Sequence, residues 1–202
     1  MLQQVLAQPT WNGRLTVADF RGLSPLFYVS PLQVNYQIPP GLSPGGAVVT
    51  IINGAGTVSA GTALIDIVTP GLFSADASGQ GFAAGSVLRA RADGSQIFEP
   101  VARFDPAQNR FVAAPIDFGP ETDQLFLVLF GTGIRNRSSL FSVRVNVGGM
   151  EMEVLYAGPQ VGFVGLDQVN VKLLRNLAGR GETEIVLTAD DKRANTVKVS
   201  FK

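Results

Sequence analysis

The stretches "QVNYQI" (33–38) and "QVNVKL" (168–173) share the tripeptide Gln-Val-Asn and a similar alternation of apolar and polar residues. Such alternation is typical of a β-strand that buries one face. The preceding residues also correspond, because "VADFRGLSPLFYVSP" (17–31) aligns without gaps on "VNVGGMEMEVLYAGP" (145–159). Agreement in order, spacing and residue type over about 50 residues indicates an internal duplication rather than chance.

The alignment of the two copies predicts further equivalent positions. Upstream of the tripeptide it pairs Tyr28 with Tyr156, and the loop "QVGFVGLD" (160–167) has no counterpart in the first copy. Downstream, a constant spacing gives three pairs, which are Gly46 with Gly181, Ile51 with Val186, and Leu64 with Val199. We expect each pair to occupy the same place in its own copy.

Glycine and proline, at 23 and 12 residues, separate short runs rich in β-branched and aromatic residues. Strands spaced at about 8 to 12 residues are typical of β-sandwiches. We therefore predict an all-β protein made of two tandem immunoglobulin-like β-sandwich repeats with an intervening β-hairpin segment. The predicted boundaries are 1–69 for the first repeat, 70–123 for a hairpin connector packed on the repeats, and 124–202 for the second repeat.

The first repeat is predicted to lack its opening strand. In the second copy, "QLFLVLFGTGI" (124–134) is the most apolar run of the chain, and it precedes the duplicated region. The alignment places its equivalent at the start of the sequence, where "MLQQVLAQPT" (1–10) has weak alternation and no glycine turn. Either these residues supply a poor substitute, or the first repeat exposes a groove and an unpaired strand edge.

Composition excludes several classes of function. The chain has no Cys and no His, which removes thiolate and imidazole catalysis and the usual ligands of zinc, haem and iron–sulfur clusters. Charged residues make up 16% and balance to a net charge of +0, so nucleic acid is not an expected partner. No apolar run approaches the roughly 20 residues that span a bilayer. No cofactor and no metal are expected.

The polar residues are interpreted as structural, and no catalytic residue is identified. Gln33, Asn35, Gln168 and Asn170 are predicted to be loop clamps that bond the backbone of a neighbouring loop, since an unpaired buried amide costs roughly 1 to 3 kcal/mol. Arg89, Arg91 and the run 135–137 are predicted to be solvated. Most of the acids between the copies and near them stand beside Gly, Pro or Ser and are predicted to form turns; they are Asp66, Asp76, Asp93, Glu99, Asp105, Asp117, Glu121 and Asp123.

A set of motifs resembles one family. They are "PLFYVSPLQVNYQIPPG", "PGLFSADASGQG", "RADGSQIFEPVARFD", "LVLFGTGIR", "AGPQVGFVGLDQVNVKL" and "LAGRGETEIVLTADDKRANTVKV". Together they are similar to the uncharacterised Solibacter-type C-terminal domain found at the ends of large acidobacterial proteins, over nearly everything from residue 15 to 202. The resemblance implies a secreted or surface-exposed β-rich module with no known catalytic residues. The chain departs from the family before Pro25, where family members have an opening stretch.

These observations favour a non-enzymatic extracellular protein with a structural or adhesive role. We expect β-strand addition between subunits, in which residues 1–11 of one chain enter the groove of the first repeat of the next and build a head-to-tail filament. The predicted subunit contacts are Leu2, Val5, Leu6 and Trp11. The alternative is a monomeric extracellular module that binds carbohydrate and folds its opening strand from residues 1–14.

Overall fold

A computed structural model describes residues 2–5, 14–17, 24–30 and 33–202 of the chain. It divides the chain into two compact units, Met1–Ile67 (unit 1) and Val68–Lys202 (unit 2). Regular structure in the described residues is almost entirely β, with two three-residue 3-10 helices, η1 (Leu140–Ser142) and η2 (Arg175–Leu177). The predicted all-β fold class is confirmed.

Unit 1 contains two three-stranded antiparallel sheets. Its strands are β1 (Leu2–Val5), β2 (Arg14–Val17), β3 (Leu26–Ser30), β4 (Gln33–Gln37), β5 (Gly45–Ile52) and β6 (Val58–Ile65). The sheet orders are β1-β4-β3 and β2-β5-β6. Alternate residues of β4 and β5 supply the buried cluster, and burial raises the pKa of Tyr36 to about 12. The buried members are Val34, Tyr36, Ala47, Val49 and Ile51. A core of this size gives a small unit only modest apolar stabilisation.

Unit 2 is built on a larger sheet. Its strands are β7 (Gly71–Leu72), β8 (Gly85–Ala90), β9 (Gln96–Pro100), β10 (Ala102–Asp105), β11 (Arg110–Ala113), β12 (Gln124–Thr132), β13 (Val143–Val147), β14 (Met150–Pro159), β15 (Asp167–Lys172), β16 (Gly181–Ala189), β17 (Lys192–Arg193) and β18 (Val197–Phe201). The main order is β17-β16-β13-β14-β15-β12-β8-β9, with β18 also on β16 and β7 also on β12. The hairpin β10–β11 forms a separate sheet.

Strand β14 connects two layers of unit 2. Its first residues pair with β13 and its later residues pair with β15. Both layers send alternate apolar side chains into one cluster, which includes Leu127 from β12, Val171 from β15 and Leu187 from β16. A strand that passes between packed sheets is a common way to close a sandwich. The segment 70–123, predicted as a connector, contributes β7 to β11, and β8 pairs along β12 in this sheet.

The two units share their internal strand order. Strand β4 of unit 1 lies between β1 and β3, as β15 of unit 2 lies between β12 and β14. Strand β5 lies between β2 and β6, as β16 pairs with β13 and β18. The hairpins β3–β4 and β14–β15 also share a bulge, because the register shifts immediately before Tyr28 in one and before Tyr156 in the other. Tyr28 then faces Asn35, and Tyr156 faces Asn170.

The downstream part of the predicted alignment is wrong in phase. Leu64 is 72% exposed, whereas its predicted equivalent Val199 is fully buried. In the ladders, Leu15 pairs with Ile51, and the corresponding Val143 pairs with Ala189. Ile51 therefore corresponds to Ala189 rather than to Val186. A slip of an odd number of residues turns every side chain to the other face of a strand, so burial decides the alignment.

The edge of β4 is covered by the chain's own first strand. Strand β1 pairs antiparallel with β4, from Leu2 opposite Gln37 to Val5 opposite Val34. Gln4 of β1 faces Asn35, and Val128 of β12 faces the equivalent Asn170. Strand β1 therefore pairs with β4 at the position where β12 pairs with β15. Of the two alternatives for the opening strand, the structure has the short substitute: β1 makes four ladder pairs with β4, whereas β12 makes six with β15.

Candidate functional site

The duplicated amides form pairs within their own strands. Gln33 Nε2 donates to Asn35 Oδ1 at 2.7 Å, and Gln168 Nε2 donates to Asn170 Oδ1 at 2.8 Å. These are the hydrogen bonds that the four side chains make within the described residues, and the predicted bond to a loop backbone stays a prediction. Each pair leaves a glutamine carbonyl and an asparagine amino group directed away from the pair, on the face that also carries the tyrosine.

Tyr156 extends over Gly158 beside the second amide pair. Its Oη donates to the carbonyl oxygen of Pro159 at 2.5 Å. A Cβ placed on Gly158 would meet this Oη at 3.1 Å and the ring carbon Cζ at 3.4 Å, so the ring crosses the glycine backbone. Gly158 faces Gln168 across the ladder. The ring, 37% exposed, is a small platform next to two amides.

An arginine and an apolar loop adjoin this platform. Nη1 of Arg137 would lie 3.5 Å from a Cβ at Gly158, and its Nε is buried without a hydrogen-bond partner in the described residues. The loop that follows β14 exposes Val161 by 92% and Phe163 by 68%. A bond from Gln160 N to Leu166 O closes its base. Ring, amides, guanidinium and apolar loop together form what we call the Tyr156 face.

Arg89 is the centre of a buried ionic network, and the prediction that it is solvated is wrong. It is 7% exposed, and its five N–H groups all have acceptors. Nε and Nη2 bind both oxygens of Glu99, at 2.8 and 3.1 Å, and Nη1 lies 3.2 Å from Asp123 Oδ2. The other acceptors are the carbonyls of Asp117 and Phe118. Its hydrogen bonds to Glu99 raise the pKa of Arg89.

The loop before β12 is held from a second side by Arg175 of η2. Its guanidinium donates to the carbonyl oxygens of Gly119, Pro120 and Asp123, and it lies 5.8 Å from the centre of the Phe118 ring. An open cavity of about 560 Å³ borders this region and is lined by Arg89, Arg91, Glu99, Asp117, Asp123 and Lys202, among others. All N–H groups of the Arg89 guanidinium are hydrogen-bonded, and their acceptors lie on β9 and on the loop before β12. The network therefore holds the hairpin β8–β9 against this loop.

Asp167 forms the second buried ionic group. Its side chain is fully buried, with Oδ2 accepting from Ile134 N at 2.7 Å and from Arg135 N at 3.1 Å. Oδ1 accepts from Arg135 Nε at 2.7 Å. These bonds fix the turn after β12, where Gly133 has a φ of 74° and a Cβ would lie 2.0 Å from the carbonyl oxygen of Thr69. The glycine and the carboxylate together determine the turn.

Most of the remaining acids that suggested chemistry accept hydrogen bonds from backbone N–H groups one or two residues further along the chain. Asp93 accepts from Ser95 N at 2.8 Å, and Asp105 accepts from Ala107 N at 2.9 Å. Hydrogen bonds lower the pKa of four of these acids below the usual range, with the first donor being Ser74 for Asp76, Ser95 for Asp93, Gln108 for Asp105 and Gly119 for Asp117. These hydrogen bonds stabilise the ionised carboxylates and hold the backbone beside them.

Only part of the predicted subunit contact is described. The backbone of Leu2 and Val5 lies in β1, whereas Leu6 and Trp11 lie outside the described residues. The sequence-based prediction missed Arg89 and Asp167 as network centres. Arg89 binds Glu99, 10 positions away, and also residues 28 to 34 positions away. Asp167 binds residues 32 and 33 positions away, and no local pattern signals the more distant partners. Tyr156 was identified as a repeat landmark, but its contact with Gly158 was not predicted.

Comparison with family models, curated proteins and solved structures finds no match for this chain. Among residues 24–30 and 33–202, no three acidic side chains come together in a group fit to hold a metal ion. No helix within the part of the chain that the structure describes has the length and apolar character needed to cross a membrane. The features available for a functional argument are therefore the strand edges of unit 1 and the Tyr156 face.

Proposed function

We propose that this chain is a non-enzymatic structural or adhesive protein of the cell exterior whose subunits join by β-strand addition. The location is supported by the family resemblance. The non-enzymatic role is supported by the buried charges, since the donors of Arg89 and the oxygens of Asp167 are used to hold backbone and side chains in place.

One observation carries the assembly part of the proposal. The β4 edge is covered by four residue pairs with β1, whereas the equivalent β15 edge is covered by six residue pairs with β12. Residues 6–13 join β1 to β2, and a segment of this length spans up to about 26 Å when extended. The ladder of β1 on β4 can therefore form within one chain or between neighbouring chains, and exchange between neighbours builds a head-to-tail polymer.

We expect deletion of residues 1–12 to abolish polymers of the chain. Light scattering after size exclusion and electron microscopy should show large species for the full chain and 20 kDa-class particles, slightly below the 21.4 kDa of the full monomer, for the truncated chain. Main-chain bonds along β4 are lost, and among the described strands only β1 and β3 pair with β4. Undiminished polymers after the deletion, or a full chain that stays monomeric at every concentration, contradict the proposal.

A synthetic peptide of residues 1–12 provides the matched control. It should bind the truncated chain, and Trp11, the single Trp of the sequence, makes its fluorescence an unambiguous signal. A peptide with Gln4→Pro should not bind, because Gln4 faces Asn35 and proline removes a main-chain donor and restricts the strand. Equal binding of both peptides would show that the ladder is not what holds them.

A second candidate function, a carbohydrate-binding module, is favoured by the Tyr156 face. A flat exposed ring stacks on a sugar, and amides beside it hydrogen-bond to hydroxyl groups. The Arg137 side chain has no ion pair in the described residues, so an acidic sugar would supply the missing carboxylate.

We expect the full chain to be retarded in native gels that contain polygalacturonate but not in gels that contain neutral dextran. Tyr156→Ala should abolish the retardation, because it removes the ring that covers Gly158. Phe98→Ala is the control, since Phe98 is also an exposed aromatic, 67% accessible, on β9. Equal retardation of the Tyr156→Ala variant and the parent chain rules out this site.

A further inference from the structure

Strand β6 presents a long unprotected edge. It pairs with β5 over all eight of its residues, and it has no other ladder partner among the described residues. Most of its residues are exposed, including Val58 at 59% and Leu64 at 72%. Exposed edges are normally blunted by Lys, Pro, a bulge or a covering segment. None of β6 is Lys or Pro, and its register on β5 is regular.

Strand β6 and the residues before it carry no charge, and the first charged residue after it is Asp66. No Asp, Glu, Lys or Arg occurs from Gly22 to Ile65, although the chain has 32 such residues. On the outward face of the sheet β2-β5-β6, Val48 is 41% exposed and faces Thr62, with Leu64 as a diagonal neighbour on β6. A charged partner strand would gain no ion pair here, whereas a strand of the same composition meets no repulsion.

The side chains of β6 suit pairing with a second copy of itself. A two-fold axis perpendicular to the sheet at Gly61 places Gly61 opposite Gly61 of the other copy. It also places Val58 opposite Leu64 twice, so the most exposed apolar side chains of β6 form two cross-strand pairs. Directly opposite side chains in an antiparallel pair share a face and lie about 4.5 to 5.5 Å apart at Cβ. Small residues at the centre, Ala60 and Thr62, leave this approach unobstructed.

We propose that β6 pairs antiparallel with β6 of a second copy of this chain, about a two-fold axis at Gly61. The contact joins two three-stranded sheets into one sheet of six strands. It extends the small buried core of unit 1 with apolar surface from a partner. It goes beyond the exchange of β1, because it uses a different sheet and is isologous, so it closes a dimer or joins two filaments side by side.

A single cysteine tests the register, since the chain has none of its own. A Cβ at Gly61 would have no atom within 4 Å, so Gly61→Cys is accommodated. Opposed residues of an antiparallel pair have Cα atoms about 4.5 or 5.5 Å apart, within the range of a disulfide. Under mild oxidation, most of the full-length Gly61→Cys chain should run as a covalent dimer on a non-reducing gel.

Thr57→Cys is the matched control, because Thr57 is exposed next to β6 but lies far from its own copy in this register. It should cross-link on the order of tenfold less than Gly61→Cys. Equal cross-linking of the two variants, or none in Gly61→Cys, overturns the proposal.

A charge on the edge provides the second measurement, free of any disulfide. Thr62→Lys places one lysine from each copy in diagonal positions across the axis, with the two residues about 7 to 8 Å apart. Light scattering of the otherwise unchanged chain should show a dimer contact weakened on the order of tenfold or more. Unchanged self-association in Thr62→Lys contradicts β6 pairing. Deletion of residues 1–12 leaves β6 intact, so the truncated chain keeps the strand that forms the β6 dimer. A failure of β1 exchange is therefore distinguishable from a failure of this contact.

Discussion

Replacement of Arg89 by Met will destabilise unit 2 by about 3 to 5 kcal/mol, the cost of leaving buried charges without their partner. The variant removes five hydrogen bonds and leaves the carboxylate of Asp123, whose side chain is 8% exposed, without a cation. The carbonyl oxygens of Asp117 and Phe118 lose their donor as well. Urea unfolding followed by hydrogen exchange with mass spectrometry measures the loss in peptides from unit 2.

Arg91→Met is the matched control, since Arg91 lines the same cavity but is exposed. Its effect should stay within about 0.5 kcal/mol. Addition of Glu99→Gln and Asp123→Asn to the Arg89→Met chain should recover part of the loss, because the unpaired charges are then removed with the cation. An Arg89→Met chain as stable as the parent would mean that the network does not hold the loop before β12.

The second large effect is expected for Asp167→Asn, at about 2 to 4 kcal/mol. The substitution preserves shape, but it removes the negative charge and brings an NH2 group against N–H donors of Ile134 and Arg135. The backbone amides of both residues lie in the turn after β12. Their hydrogen exchange, measured by NMR, should accelerate more than that of amides in the distant β16–β18 ladder.

Asp191→Asn controls for the loss of one acid in the same unit. Asp191 is exposed, and its φ of 61° is a conformation that asparagine adopts readily. This variant should unfold like the parent chain. Exchange at Ile134 that is unchanged by Asp167→Asn would show that the carboxylate does not fix the turn.

The sequence identified the strands because alternation and Gly or Pro punctuation are local signals. It found the duplicated hairpin for the same reason, since Tyr28 and Asn35 recur as Tyr156 and Asn170 with short spacing between them. It placed Leu64 on the wrong face because the connections before β5 and β16 differ, and sequence spacing does not report such a slip. Burial, which depends on tertiary packing, resolves the phase.

The candidate sites were less predictable than the fold. The amides were found, but the hydrogen bond between two amides two residues apart was not predicted, because it depends on side-chain geometry. Arg89 stands in an alternating strand as a polar residue, which locally indicates exposure. Its burial results from acceptors on a loop that β11 and β12 bring beside it, a tertiary effect that overrides the local pattern.

The uncharged stretch from Gly22 to Ile65 determines how association through β6 depends on solvent. With no fixed charges in the contact, mobile ions have nothing to screen, so dilute sodium chloride leaves the dimer unchanged. Excluded salts such as sulfate strengthen it, because they favour apolar burial. The contact therefore responds to protein concentration and to water structure rather than to ionic strength or acidity, which suits an assembly that persists in variable surroundings.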